Sequence, residues 1–164
     1  WSLRPELVVL NLSEDRLGET AAFRQEAGLA DHVIGFCGEL EAEMAGLSRE
    51  EQQEFLESLA MAEPAFQRII QAAFRLLGRI TYFTVGEDEV KAWVIPRGVK
   101  APRAAAAIHK DFERGFIKAE VVSYADFIAC GGTLAAAKAA GKLRLEGKDY
   151  VVADGDIISF RFNV

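Results

Sequence analysis

Apolar positions along the chain follow two rhythms, and the change from one to the other falls near Gly78 to Ile80. Before it, Leu7-Val8-Val9-Leu10 and Val33-Ile34-Gly35-Phe36-Cys37 are continuous apolar runs rather than alternating ones. Such runs predict strands covered on both faces, as parallel neighbours are. The segment from Glu19 to Ala27 predicts a short helix between them, with Gly28 placed to end it. The expected order is therefore β-α-β, followed by a turn at Gly38. Ser48-Arg49-Glu50-Glu51 has the form of a capping box and predicts a helix running to about Leu59. Pro64 opens another helix, in which Phe66, Ile69, Ile70, Ala73, Phe74 and Leu77 recur at helical spacing. That stripe is expected to pack into a core, and Gly78 to stop the helix.

Beyond the boundary the apolar runs are short and punctuated by turn residues. Ile80 to Val85 and Val90 to Ile95 flank Gly86-Glu87-Asp88 and predict a β-hairpin closed by Pro96 and Gly98. Pro102 begins an alanine-rich helix expected to reach about His109. Lys118 to Ser123 predicts a strand, Tyr124 to Ile128 a helical turn, and Ala135 to Ala140 a further small-residue stretch. Short strands are expected at Leu143–Leu145, Tyr150–Val152 and Ile157–Phe162. A hairpin, a helix and further short strands describe a compact α+β unit of about 85 residues. No flexible linker is expected between it and the first half, because a strand follows the preceding helix almost at once.

With 164 residues, 51% of them hydrophobic and 27% charged, the chain has enough apolar side chains for one domain or two small ones. No apolar run approaches the length of a membrane span. The formal net charge of -6 argues against a broad, sequence-independent grip on nucleic acid and leaves only a local basic face. Two clusters qualify. Lys110, Arg114 and Lys118 surround Phe112 and Phe116, which reads either as a basic, aromatic patch or as a solvated loop with its rings turned inward. Lys138, Lys142, Arg144 and Lys148 form the second, with the same ambiguity. His109 is expected to meet a helix C-terminal dipole. Cys37 and Cys130, with two histidines in the chain, make neither a disulfide framework nor a zinc site, which suits a reducing cytosol. The acidic run from Glu39 to Glu57 reads as a solvated helical face. Since the sequence opens on Trp1-Ser2-Leu3, it is expected to be a piece of something longer.

Asn11-Leu12-Ser13-Glu14 follows the first predicted strand directly. An amide and a carboxylate three residues apart at a strand's carboxyl edge can both grip the rim of a purine, and open α/β sheets bind ligands in that crevice. The same residues also suit a plain strand-end turn. No G-x-x-x-x-G-K-[ST] phosphate loop occurs in the sequence. The nearest approach, Gly141 to Gly147-Lys148-Asp149, has the wrong spacing and no hydroxyl for a magnesium ion.

Further segments join that loop: Thr81-Tyr82-Phe83-Thr84, Val90-Lys91-Ala92-Trp93, the stretch from Ile108-His109-Lys110-Asp111 to Gly115-Phe116-Ile117, and the end from Leu145-Glu146-Gly147-Lys148 to Phe160-Arg161-Phe162-Asn163-Val164. With them, nearly the whole chain resembles the Obg-like ATPase (YchF) family of translation-factor-type P-loop proteins. The resemblance implies that residues 1–79 are an α/β remnant, the C-terminal part of an OBG-type G domain with its base-recognition strands and helices. It implies that residues 80–164 are a TGS domain, an α+β module of the β-grasp (ubiquitin-like) kind. The family's phosphate loop and switches would precede Trp1. The implied whole is a cytoplasmic, ribosome-associated ATPase that uses Mg2+ with ATP and prefers ATP to GTP. Its implied partner is the ribosome, through the large subunit, with an RNA contact through the TGS domain. No catalytic residue and no metal ligand are expected in this portion, which would be inactive alone.

The resemblance also implies roles for particular residues. In guanine-binding relatives the loop reads Asn-Lys-x-Asp, and the aspartate accepts from the guanine N1–H and exocyclic amine. Here Leu12 and Glu14 stand at the second and fourth places. A carboxylate one methylene longer cannot hold that two-point contact without moving the base, so guanine is disfavoured. Asn11 is expected on the purine edge, Leu12 against the ring, and Glu14 in an outer contact. Phe36, Cys37 and Gly38 would form the second base-contacting loop, with a backbone carbonyl for the adenine amino group and Gly38 allowing close approach. Cys37 reads equally as an ordinary buried thiol. A reading from another class is a non-catalytic TGS module that recruits RNA or a ribosomal partner, with the front half as a brace.

Overall fold

The computed structural model describes residues 5–26, 28, 33–86 and 89–163. The chain divides into two compact units between Leu77 and Gly78. Among the described residues no helix is long and apolar enough to cross a membrane.

In the first unit β1 (Val8–Asn11) and β2 (Val33–Phe36) pair in parallel, with Val8 opposite Val33 and Asn11 opposite Phe36. The connection begins earlier than expected, as a short 3-10 helix over Glu14–Glu19 that runs into α1 (Thr20–Glu26). Gly35 is required here, because a Cβ on it would overlap the Thr20 hydroxyl at the start of α1. Where only a turn was expected, α2 (Gly38–Ala45) forms and buries Leu40 and Met44. Then α3 (Arg49–Ser58) opens on the anticipated capping box. The Ser48 N–H donates to Glu51 Oε2 at 2.8 Å, and the Glu51 N–H returns to Ser48 Oγ at 3.4 Å. Pro64 offers no side-chain cap to α4 (Ala65–Leu76). Instead the Glu41 carboxylate of α2 accepts from the Ala65 N–H at 2.7 Å, so one helix caps another.

The apolar stripe on α4 is only half turned inward, with Ile69, Ala73 and Phe74 half-buried. Phe66, Ile70 and Leu77 are 55%, 53% and 67% exposed, while Ala65 and Ala72 are buried. On that small-residue face, Arg68 Nη2 donates to the Gly35 carbonyl of β2 at 3.0 Å. Short side chains let α4 lie close to the strand. Helical periodicity shows which side chains share a face, but not which face finds a neighbour.

The second unit runs β3 (Arg79–Val85), β4 (Val90–Pro96), α5 (Ala101–Ala105), α6 (Lys110–Arg114), β5 (Phe116–Ser123), α7 (Tyr124–Ala129), α8 (Leu134–Ala139), β6 (Arg144–Glu146) and β7 (Asp156–Phe162). Glu87 and Asp88 of the expected hairpin turn lie outside the described residues. The sheet order is β4-β3-β7-β5-β6. The last strand lies centrally, parallel to β3 and antiparallel to β5, a mixed sheet consistent with the ubiquitin-like expectation. Its core sets Ile80, Tyr82, Ile95 and Ile158 against Ala101, Ala104 and Ala105. Those three alanines are wholly buried, because a helix without bulky side chains can seat close to the sheet. The buried Tyr82 hydroxyl donates to the Ala104 carbonyl at 2.9 Å.

Several local expectations are corrected. The alanine-rich helix stops at Ala105, and residues 110–114 form a helix rather than a loop. His109 sits at the start of that helix, where its Nδ1 accepts from the Asp111 N–H at 3.2 Å. It therefore caps a helix N-terminus instead of meeting a C-terminal dipole. Tyr150–Val152 makes no strand; Val151 forms one isolated bridge with Lys100. Phe116 is buried and Phe112 stacks on Phe162 at 3.6 Å, so both rings turn inward. In the other basic cluster Lys142 pairs with Asp126 at 3.1 Å and Arg144 with Glu146 at 3.5 Å.

Candidate nucleotide-base site

The parallel pair ends with Asn11 and Phe36 side by side, and each strand then turns away from the sheet. The Leu12 N–H donates to the Phe36 carbonyl at 2.8 Å, which carries the pairing one residue past β1. The Asn11 side chain points across to α2, where Oδ1 accepts from the Gly38 N–H at 3.1 Å. That bond satisfies one of the amide donors that a helix start leaves without an intrahelical partner. It also orients the Asn11 amide: the oxygen is engaged, and the Nδ2 hydrogens are left to donate. Around it lies a hollow of about 460 Å³, lined by Asn11, Leu12, Ser13, Cys37, Gly38 and Glu39.

Of the residues expected to bind a base, Asn11, Leu12, Cys37 and Gly38 share this hollow. Phe36 stands behind it, its carbonyl already accepting from Leu12. Glu14 stands apart. It opens the 3-10 helix and lines a separate cavity of about 560 Å³ with Leu17, Arg24, Gly35 and Arg68. Cys37 is 5% exposed and takes the N-cap position of α2 in an extended conformation, as an ordinary buried thiol would. Gly38 is not needed for its backbone to reach Asn11, since a Cβ there would stand at an ordinary contact of 3.4 Å from Oδ1. Its hydrogen instead leaves the floor of the hollow open.

Sequence reasoning missed Ser13 and Glu39. Glu39 is an exposed carboxylate in the first turn of α2. It sits in an acidic run that reads as a uniformly solvated helical face, and the turn expected at Gly38 hid that the helix starts there. A helix start at Gly38 would have been the usable signal. Among the described residues no group of three or more His, Cys, Asp or Glu side chains stands together to hold a metal ion.

Fold and hollow together define a two-unit protein, an α/β unit followed by a mixed-sheet unit, with its candidate site at the carboxyl ends of parallel strands. Residues 79–163 match the family described as YchF-GTPase_C, protein of unknown function (DUF933). The chain belongs to the YchF, or Obg-like ATPase, family. It is 49% identical over 168 residues to the ribosome-binding ATPase YchF of Bacillus subtilis (strain 168), covering 98% of this chain and 46% of that protein. It is 52% identical over 131 residues to Obg-like ATPase 1 of Homo sapiens, covering 80% of this chain and 33% of that protein. The solved structure of the Schizosaccharomyces pombe YchF GTPase superposes with a TM-score of 0.77 at 33% identity, covering 96% of this chain and 43% of that one. The chain thus spans less than half the length of each of these relatives.

Proposed function

We propose that residues 1–79 supply the purine-binding wall of a G domain and residues 80–164 a TGS domain, both in a cytoplasmic, ribosome-associated ATPase that prefers ATP to GTP. The observation that carries this reading is the orientation of Asn11. With Oδ1 engaged by the Gly38 N–H, its Nδ2 hydrogens are free to donate to the N7 acceptor that every purine presents. Leu12, in the same hollow, offers an apolar surface to the ring.

Discrimination then rests on the six-membered edge of the base. Guanine brings N1–H and N2–H donors that need an acceptor. Glu14, the motif's carboxylate, lines another cavity, and a buried donor left unpaired costs about 1–3 kcal/mol. Adenine brings no N1–H and avoids that penalty. Glu39 at the rim, set against C6 of a base held at N7, accepts from the adenine amine and meets a carbonyl oxygen in guanine, so it adds to the preference for adenine.

The sequence holds no phosphate-loop motif, and its described residues form no magnesium cluster. Hydrolysis with Mg2+ and ATP is therefore assigned to residues outside these 164, and no catalytic step to any residue within them. The names of the relatives as ribosome-binding ATPases support the ribosome as partner. Docking on the large subunit, with an RNA contact, is assigned to the TGS unit.

Asn11→Ala tests the site. The variant keeps the fold and weakens adenosine monophosphate binding by about tenfold, the loss of roughly one hydrogen bond. The affinity of Asn11→Ala is read by nuclear magnetic resonance titration of the chain at millimolar ligand. Unchanged affinity in a folded Asn11→Ala chain would remove Asn11 from the site.

A further inference from the structure

The outer edge of β4 has no partner among the described residues, and it borders a groove. Two bonds set the phase of the hairpin: the Gly86 N–H donates to the Glu89 carbonyl at 2.8 Å, and the Arg97 N–H to the Gly78 carbonyl at 2.7 Å. Alternation along the antiparallel ladder then turns the backbone groups of Lys91, Trp93 and Ile95 toward β3. Those of Val90, Ala92 and Val94 turn outward. Pro96, which has no N–H, ends the row. Val90 and Val94 are 68% and 50% exposed.

Beside the far end of this edge lies a groove of about 510 Å³ with an apolar floor of Val94, Val99, Ala106 and Ala107. Its wall carries Arg103, Lys110 and Arg114; Glu113 pairs with Arg103 at 3.4 Å, and Asp111 stands 3.7 Å from the exposed Arg114 guanidinium. In a chain of net charge -6 this is a local reversal of sign.

We infer that this edge and groove bind an extended, acidic and apolar peptide segment of a partner protein, added beside β4 as a further strand. The outward backbone groups of Val90, Ala92 and Val94 pair with the added strand, and pockets alongside select its side chains. Val99 and Ala106 receive its apolar residues. Lys110 and Arg114 receive its carboxylates, which also steer its approach. A single-stranded RNA would need exposed rings for its bases to stack on. The rings nearest these cations are turned away: Phe112 is stacked on Phe162 and Phe116 is buried. A second copy of the same edge, paired antiparallel about Val94, would bring Lys91 against Arg97, a like-charge contact of the kind edge strands use to prevent self-pairing. This surface is in the second unit and owes nothing to the nucleotide reading.

The test uses the 164-residue chain and a fluorescein-labelled peptide of about eight residues that alternates isoleucine or valine with aspartate or glutamate. Its lysine counterpart and a uridine oligonucleotide serve as competing probes. The acidic peptide is expected to bind, more weakly as salt rises, and to slow hydrogen exchange at the amides of Val90, Ala92 and Val94. Lys110→Glu with Arg114→Glu, two exposed substitutions, is expected to weaken it by roughly tenfold or more. Binding of the oligonucleotide or the lysine peptide in its place would overturn the inference. So would acidic-peptide binding that leaves those amides unprotected, or that survives the double reversal in a chain with unchanged circular dichroism.

Discussion

In the proposed site, a single bond orients Asn11 for recognition. The sequence places an amide at the end of a strand, which a plain turn would also explain. The bond from the Gly38 N–H crosses 27 positions, which a local turn does not require, and it leaves the donor end of the amide toward the hollow. That contact was not legible beforehand, since it depends on α2 starting at Gly38. Glu14 illustrates the opposite case: its spacing from Asn11 suggested a shared grip, and the 3-10 helix carries it into another cavity. A second residue-scale device lies in the mixed-sheet unit. Asp156, the buried charged side chain among the described residues, accepts from the Tyr150 hydroxyl at 2.6 Å and the Ala153 N–H at 2.9 Å. Arg144 donates to the Tyr150 hydroxyl at 3.1 Å. Burial, reinforced by the bond to Asp156, pushes the Tyr150 hydroxyl up to about 12. Tyr150→Phe leaves a buried carboxylate short of a donor and is expected to cost about 1–3 kcal/mol in urea unfolding. A change within about 0.5 kcal/mol, typical of an unconstrained surface site, would show that Arg144 and Ala153 suffice.

At the scale of elements, the legible features were those whose signal is local. The capping box at Ser48 and Glu51, the hairpin of β3 and β4, and the parallel reading of β1 and β2 rest on neighbouring residues and stand in the structure. The break after Ala105 and the short helix at Lys110–Arg114 were missed, because their alanine and charge content suits either helix or loop, and the imidazole cap has no strong sequence signature. The stripe on α4 was legible as a face but only half of it turns inward: Ile69, Ala73 and Phe74 are half-buried, and Phe66, Ile70 and Leu77 are exposed. This yields a paired test. Ile70→Lys places a charge where the side chain is already half exposed and is expected to shift stability by less than about 0.5 kcal/mol. Ala72→Leu adds bulk on the buried face and is expected to cost about 1–3 kcal/mol. Thermal or urea unfolding in the reverse order would restore the stripe to the core.

The whole molecule divides into compact units between Leu77 and Gly78, beside the change in hydrophobic rhythm. The strand order was not legible, because β7 inserts between β3 and β5 through pairings distant in sequence. Both units carry carboxylates held below their ordinary range. The hydrogen bonds from the Ser48 N–H and hydroxyl lower Glu51, those from Lys142 and then Ser123 lower Asp126, and that from Lys100 lowers Asp149. A carboxylate with a depressed folded value adds stability above its unfolded value and loses it as pH falls through the folded one. Stability is therefore expected to fall below about pH 4, and Asp126→Asn to flatten part of that loss in pH-resolved urea midpoints. An identical acid profile for Asp126→Asn would remove the Lys142 contact as a contributor. At the alkaline end the sign reverses: the raised Tyr150 adds stability below its ordinary value near 10, and that stability goes as pH rises toward 12.

The central claim is that the hollow beside Asn11 accepts adenine in preference to guanine. Parallel titrations of the isotope-labelled chain with adenosine and guanosine monophosphates test it most directly. The predicted result is a saturable shift of the Asn11 side-chain amide and the Gly38 amide with adenosine monophosphate, at least roughly tenfold tighter than with guanosine monophosphate. Equal affinities, or shifts confined to the cavity that Glu14 lines, would contradict it.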